Sequence, residues 1–135
     1  MMGPMKSPPP PQPTRAELDI LRVLWTQGRC TVRQVHEALR ETQDKDTVYT
    51  TVLKLLQNMA EKGLVRRDER ERTHVYEAAI NQQKTQRALL RDLMDRAFGG
   101  STASLVIQAL SAKRATPEEL AEIRKLLDQN EGGKK

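Results

Sequence analysis

Residues 47–63, TVYTTVLKLLQNMAEKG, decide the fold that we expect for this chain. Apolar side chains recur in this stretch at the three- and four-residue spacing that places them on one face of a helix. They are Val48, Val52, Leu55, Leu56 and Met59. The polar side chains, on the other face, are Thr47, Thr50, Thr51, Lys54, Gln57 and Asn58. Gly63 follows where a left-handed C-terminal cap is expected, so the pattern predicts an amphipathic helix that ends before it.

The polar face of this helix is neither acidic nor rich in ion pairs. Hydroxyls, amides and a lysine can donate to phosphates and read base edges in the major groove of DNA. The face therefore predicts DNA contacts, and the candidates are Thr47, Tyr49, Thr50, Thr51, Lys54 and Asn58. Two alternatives remain open, because Lys54 and Asn58 could simply be solvated and the threonines could cap the start of the helix.

Two helices precede this one, and each opens with a capping box, in which a threonine and a glutamate or glutamine satisfy each other's backbone amides. Thr14–Glu17 opens the first helix, which we expect to run to about Gln27 and to end at Gly28. Thr31–Gln34 opens the second helix, which we expect to end near Glu41.

The connection between the second and third helices is predicted to be a polar turn over residues 42–46. Asp46 or Thr47 is expected to cap the third helix, because both residue types are favoured N-caps. Arg33, near the start of the second helix, could contact a DNA phosphate.

Two β-prone runs follow the third helix, at residues 64–68 and 73–77, with a charged tip at residues 69–72. Arg70 and Arg72 in this tip could enter the minor groove or hold phosphates, or the tip could be closed by ion pairs with Glu69 and Glu71. Two helices, a polar-faced helix and a hairpin, in this order, predict a winged helix-turn-helix. The fold class is therefore mainly α with a small β-hairpin.

Three more helices are expected in the C-terminal part. The first is expected over about residues 81–99 and is broken by Gly99-Gly100. A short helix follows it. The last helix opens with a capping box at Thr116–Glu119. Their apolar faces have no sheet of their own to cover, so we expect two chains to bury them against each other. The expected dimer contacts are Leu89, Leu90, Leu93, Met94, Phe98, Leu105, Val106, Leu110, Leu120, Ile123 and Leu127. A homodimer also matches a palindromic DNA site.

The chain divides by composition into four segments. Residues 1–13 hold six of the seven prolines and are expected to be a disordered tail, with a ligand for a proline-reading domain as the alternative. Residues 14–80 form the expected DNA-binding domain, and residues 81–130 the expected dimerisation region. Residues 131–135 are expected to fray.

Charge is concentrated where the DNA-binding pattern lies. The chain carries a net charge of +5; residues 14–91 hold 15 lysines and arginines against 11 acidic residues, whereas residues 92–135 hold 7 of each. This modest field suits a DNA binder that gains specificity from placed contacts. Cys30 is the only cysteine, which is consistent with a reducing cytoplasm. No apolar run approaches the roughly 18 residues of a membrane span, so we expect a cytoplasmic protein without membrane insertion.

Catalytic and metal-binding patterns are missing from the sequence. No serine or cysteine lies in a nucleophile motif, and no glycine-rich phosphate loop occurs. His36, His74 and Cys30 lack the spacing of metal ligands. We therefore expect neither an enzyme nor a bound metal or cofactor.

The motifs together resemble the BlaI/MecI/CopY family of bacterial winged-helix transcriptional repressors, the penicillinase repressor family, over roughly residues 14–129. Residues 17–25, ELDILRVLW, are similar to the first helix of the family, and residues 31–39, TVRQVHEAL, to the second. The third helix and wing of the family are matched by residues 49–52, by Lys62-Gly63-Leu64 and by Tyr76.

The resemblance implies a homodimeric repressor that binds operators with inverted TACA/TGTA-type half-sites. Many members lie beside the gene for a membrane-bound zinc-protease sensor and are released from DNA by cleavage. The step matching the cleaved Asn-Phe bond is Gln108-Ala109 in this chain. The paired cysteine motifs of the copper-responsive branch are absent, so copper release is not implied. Lys54 and Asn58 stand where members often have threonine and arginine, so the operator's inner bases could be read differently.

Two other functions remain open beside the repressor. A winged helix can bind RNA, although the chain offers few exposed aromatic side chains for stacking on bases. A pure protein-interaction domain could keep the fold without DNA contacts. The hydroxyl- and lysine-bearing face of the third helix favours the repressor.

Overall fold

The structure, a computed structural model, describes residues 12–43 and 47–132. Its helices and strands are, in chain order, α1 (Arg15–Gln27), β1 (Cys30–Thr31), α2 (Val32–Gln43), α3 (Tyr49–Lys62), β2 (Val65–Asp68), β3 (Val75–Ala78), α4 (Gln82–Ala97), α5 (Thr102–Ala112) and α6 (Pro117–Gly132). The chain divides into two compact units between Leu89 and Leu90. The expected class, mainly helical with a small antiparallel sheet, is confirmed. The proline-rich segment lies outside the described residues except for residues 12 and 13.

The first two helices begin as their sequences predict. In α1 the Thr14 hydroxyl accepts from the Glu17 backbone N–H at 3.2 Å, and the Glu17 carboxylate accepts from the Thr14 N–H at 2.9 Å. The same reciprocal pair joins Thr31 and Gln34, at 2.8 and 3.1 Å. Gly28 ends α1 with a backbone φ of 83°, a value that residues other than glycine rarely adopt.

The connection from α2 to α3 differs from its prediction. Helix α2 continues to Gln43, two residues beyond its expected end, so residues 42 and 43 of the predicted turn are helical; residues 44–46 lie outside the described residues. The N-cap of α3 is Val48, not Thr47, and no described side chain accepts a hydrogen bond there; Asp46, the other predicted cap, lies outside the described residues. Val48 is consequently 59% exposed instead of joining the apolar stripe.

The sheet has three strands where the sequence predicted two. Its order is β1-β3-β2 with antiparallel pairing, and Arg67 pairs with Tyr76 at the centre of the hairpin. The two-residue β1 adds Cys30 opposite Tyr76. Sequence patterning missed β1 because two residues show no alternation. The second wing strand begins at Val75, so residues 73 and 74, predicted as strand, belong to the tip.

One core joins the three helices to the sheet in the first unit. Its buried members are Ile20, Leu21, Val23, Leu24, Cys30, Val32, Val35, Ala38, Leu39, Val52, Leu56, Met59, Leu64, Val65 and Tyr76. Trp25 lies at the edge, where its indole N–H donates to the Ile80 carbonyl at 3.1 Å and ties α1 to the segment after β3. The helix-turn-helix and wing are therefore held by a single apolar cluster.

The second unit contains the end of α4 with α5 and α6. Ser101 caps α5, and the predicted box of Thr116 and Glu119 caps α6. Gly99 and Gly100 have φ values of 60° and 81° and interrupt the helical backbone between α4 and α5, as expected. Helix α6 extends to Gly132, two residues into the segment expected to fray. Beyond Thr85, no residue in the described part of the chain is buried.

None of the described helices has both the length and the hydropathy that crossing a bilayer requires.

An ion pair between an exposed lysine and a buried glutamate joins the first helix to the end of the third. Lys62 Nζ donates to Glu17 Oε2 at 2.6 Å, and the Glu17 side chain is only 3% exposed. Burial of the carboxyl alone would raise its pKa, but hydrogen bonds from Lys62 and Thr14 outweigh burial and hold the pKa of Glu17 below its ordinary value of 4.5. The ionised form is therefore the one that the fold stabilises.

Replacement of Lys62 by methionine is expected to lower the free energy of unfolding by about 1–2 kcal/mol, since it leaves a buried carboxylate without its partner. The control Lys54→Met removes an exposed lysine from the same helix and should have little effect. Urea denaturation at pH 7 measures both changes.

The same pair predicts a pH dependence. Because the pKa of Glu17 is lower in the folded chain, its contribution is complete above about pH 4.5 and is lost as the pH falls through the folded value. The stability difference between the native chain and Glu17→Gln should therefore shrink below pH 4.5. A difference that stays constant from pH 7 to pH 3 would contradict this assignment.

Candidate nucleic-acid interface

The outer face of α3 is the largest part of the candidate site. Thr50, Thr51, Lys54 and Asn58 are all exposed on it, as is Gln57. On the opposite side of the helix three side chains are fully buried, namely Val52, Leu56 and Met59. The rotation of α3 is therefore fixed by the core, and its polar groups face solvent in one continuous stripe.

The start of α3 adds an aromatic and an apolar group to this stripe. Tyr49 is 45% exposed and Val48 59% exposed. The Val48 carbonyl accepts from the backbone N–H groups of Thr51 and Val52 at 3.1 and 3.3 Å, so the first turn forms without a side-chain cap. The spacing of Val48 from Val52 fits the apolar stripe and predicted a buried side chain at this position, which is wrong. Thr47 is half-buried rather than exposed.

A groove of about 240 Å³ runs between the start of α2, α3 and the wing. It brings together Arg33, Tyr49 and Arg72, three predicted DNA contacts, with Arg67 and His74, which were not predicted to contact DNA. Thr31, Thr73 and Gln57 contribute polar groups to the same lining. A groove with three arginines and several donors is suited to oxyanions such as backbone phosphates.

The wing is held by one carboxylate. Asp68 accepts from the Arg70 side chain at 3.0 and 2.7 Å and from its backbone N–H at 3.0 Å. Arg29, which precedes β1, forms an ion pair with the same carboxylate. The hydrogen bonds from Arg70, with the charge of Arg29 nearby, hold the pKa of Asp68 well below its usual range. Asp68 therefore stays ionised and anchors the hairpin to the α1–α2 connection.

The ion pairs at the wing tip differ from those that the sequence suggested. Arg70 is bound to Asp68 rather than to Glu69 or Glu71, while Glu69 pairs with Arg67 at 2.5 Å. The Arg70 side chain nevertheless remains 82% exposed. Arg72 has no ion-pair partner among the described residues. Of the two predicted tip contacts, Arg72 lines the groove and Arg70 is tied to the base of the tip.

In the described part of the chain, no three histidine, cysteine, aspartate or glutamate side chains are grouped so that they could hold a metal ion. Cys30 is buried, and burial raises the pKa of its thiol.

Known proteins similar to this chain are transcriptional repressors and regulators. The sequence profile of the penicillinase repressor family matches residues 13–129. The chain belongs to this family. The penicillinase repressor of Bacillus licheniformis is 24% identical over 127 residues, which cover 93% of this chain and 96% of that protein. The transcriptional regulator BlaI of Mycobacterium tuberculosis is 31% identical over 119 residues, covering 87% and 83%.

The fold has a match among solved structures. The complex structure of hsRosR-S4 contains a chain that matches with a TM-score of 0.50 at 16% identity, covering 89% of this chain and 90% of that one. Family membership and fold agree on a DNA-binding winged helix that regulates transcription as a repressor. The family consists of transcriptional regulators, which are not enzymes.

Proposed function

We propose that this chain is a sequence-specific repressor that binds an inverted-repeat operator as a homodimer, with α3 in the major groove. The observation that carries the proposal is the exposed polar face of α3 on a helix whose opposite side buries Val52, Leu56 and Met59 completely. A helix held in this way presents the same side chains in the same orientation to every site that it meets.

Base readout is assigned to the middle of α3. Lys54 can donate to guanine O6 and N7, and Asn58 can form the paired hydrogen bonds that recognise adenine. Thr50 and Thr51, one turn earlier, can reach phosphates or base edges. The exposed methyl groups of Val48 suit contact with a thymine methyl, although the apolar spacing had predicted that Val48 would be buried.

Phosphate contacts are assigned to the groove beside α3. Arg33 at the start of α2 and Arg72 in the wing both line it, as do Arg67 and Tyr49. The arginines of this groove would contact a DNA backbone that follows it, while α3 lies in the major groove against the base edges. Arg70, bound by Asp68 yet exposed, is a further phosphate contact at the tip.

Dimerisation is assigned to residues 81–130, beyond the DNA-binding domain of residues 14–80. Large apolar side chains there are exposed in the single chain, among them Leu90 at 47%, Leu93 at 49% and Leu127 at 56%. Val106 and Leu110 are each 40% exposed. A second copy would remove this apolar surface from water, and two-fold symmetry would place two α3 helices on an inverted repeat.

Release by proteolysis is part of the proposal through the resemblance to sensor-controlled repressors. Gln108 and Ala109 lie inside α5 and are exposed, and Gln108 lines a cavity of about 520 Å³ with Phe98 and Ile107. A protease needs an extended segment, so cleavage there would require local unfolding of α5. A membrane-bound zinc-protease sensor is the partner proposed for a repressor that acts in the cytoplasm.

RNA binding and a pure protein-interaction role are the competing functions. The Trp25 indole is bonded to Ile80 and the Phe98 ring is half-buried, so Tyr49 is the aromatic side chain best placed for stacking. A gel-shift series decides between them. The repressor should prefer a duplex with inverted TACA/TGTA half-sites over single-stranded RNA, with affinity that falls steeply with salt. Equal binding to both would contradict the proposal.

Lys54→Ala is expected to weaken operator binding by about 1–3 kcal/mol while leaving binding to a scrambled duplex almost unchanged, because the lysine reads a base. Lys125→Ala in α6 removes the same charge far along the chain and serves as the control. Fluorescence anisotropy with both duplexes measures the two affinities. An equal loss on both duplexes would instead assign Lys54 to a phosphate.

Leu93→Asp is expected to yield a monomer, because it places a carboxylate in the proposed dimer interface. The control is Ala88→Asp, an exposed position that lies about 140° around α4 from Leu93. Sedimentation velocity measures the oligomeric state of both variants. A Leu93→Asp chain that still sediments as a dimer would reject this interface.

A further inference from the structure

Helix α3 begins without the local support that most helices have. Its N-cap is Val48, and no side chain in the described segments accepts from its first turn. The first turn also contains no acidic residue, so no carboxylate in that turn stabilises the positive N-terminal end of the helix dipole. Among the described residues, support for the start of α3 therefore comes from other elements of the fold.

His36, in the middle of α2, contacts this start at two points. Its Nε2 lies 2.7 Å from the Thr47 carbonyl oxygen. Because a carbonyl can only accept, Nε2 carries the hydrogen and donates it. The imidazole ring also meets the Tyr49 ring edge to face, with the centroids 5.9 Å apart and the planes at 81°. One side chain thus holds the residue before and the residue after the N-cap.

Core packing of α2 sets the position of His36. It follows Val35, which is fully buried, and α2 packs through Val35 and Leu39 into the core that also contains Val52 of α3. The imidazole itself is half-buried, and its partners are a turn carbonyl and an exposed tyrosine rather than core side chains. Loss of the imidazole contacts would leave the apolar core in place while freeing the first turn of α3.

We propose that His36 is a positioning residue for DNA recognition, which fixes the first turn of α3 and the Tyr49 ring relative to α2. It acts through Thr47 and Tyr49 and touches no DNA itself. This inference rests on the proposed function for its consequence in binding, but the geometric part concerns the free chain. In the free chain, the hydrogen bonds of the Thr51 and Val52 amides to the Val48 carbonyl report on the first turn.

The test uses two substitutions and one matched control in the full chain. His36→Phe keeps an aromatic ring beside Tyr49 but removes the donor to Thr47, whereas His36→Gln keeps an N–H donor without the ring. Thr42→Val is the control, because it removes a hydrogen bond of the same length, 2.7 Å to the Ala38 carbonyl, that lies wholly within α2. Three quantities are measured: amide hydrogen exchange, urea stability, and affinity for operator and scrambled duplexes.

His36→Phe should speed exchange of the Thr51 and Val52 amides, with the amides of Leu56 and Met59 unchanged. Operator affinity should fall about three- to tenfold, the change that corresponds to one lost hydrogen bond, while scrambled-duplex affinity stays the same. His36→Gln should recover part of both effects, and Thr42→Val should show neither. If His36→Phe is poorly folded, His36→Gln still carries the test through a smaller change at the same two amides.

A uniform rise in exchange along α3, with affinity lost in proportion to stability, would show that His36 is merely structural and would overturn the proposal. Unchanged exchange at Thr51 and Val52 would overturn it as well. Failure of the native chain to bind any operator duplex would instead contradict the proposed function. The exchange rates would then still decide whether His36 fixes the first turn.

Discussion

The division of α3 into one fully buried side and one solvated side is the constraint on which the rest of the structure depends. Val52, Leu56 and Met59 have no exposed surface, so rotating the helix would bring apolar groups into water and polar groups into the core. The polar groups that we propose for DNA contact are thus oriented by buried side chains on the opposite side of the helix. The same cluster includes Leu64, Val65 and Tyr76, and therefore sets the wing relative to the helix.

Polar contacts add to the apolar core by fixing both ends of α3. Lys62 at its last turn is bound to the buried Glu17 of α1, and the His36 imidazole bonds the chain just before its first turn. Asp68 plays the corresponding part for the wing by joining Arg29 and Arg70. Apolar packing selects the face of the helix, while these bonds fix its ends and the hairpin beside it.

Local sequence signals predicted most of the helices and strands, but they could not predict contacts between residues that are distant in sequence. The three capping boxes and the left-handed Gly63 need only neighbours three or four residues away, and all are present. Strand β1 exists only because β3 lies beside it, and no pattern in two residues could show that. Val48 fits the apolar spacing, yet it sits where the helix begins and is exposed. The polar face followed from periodicity, but the groove did not, because it joins three separate elements.

The most direct test of the central claim, that the polar face of α3 enters duplex DNA, is an amide chemical-shift titration of the labelled full chain with an inverted-repeat operator duplex. The expected result is a continuous set of shifted residues comprising Tyr49–Asn58 together with Arg33, Arg67 and Arg72 around the groove. Shifts confined to α5 and α6, with α3 unaffected at saturating duplex, would contradict the claim.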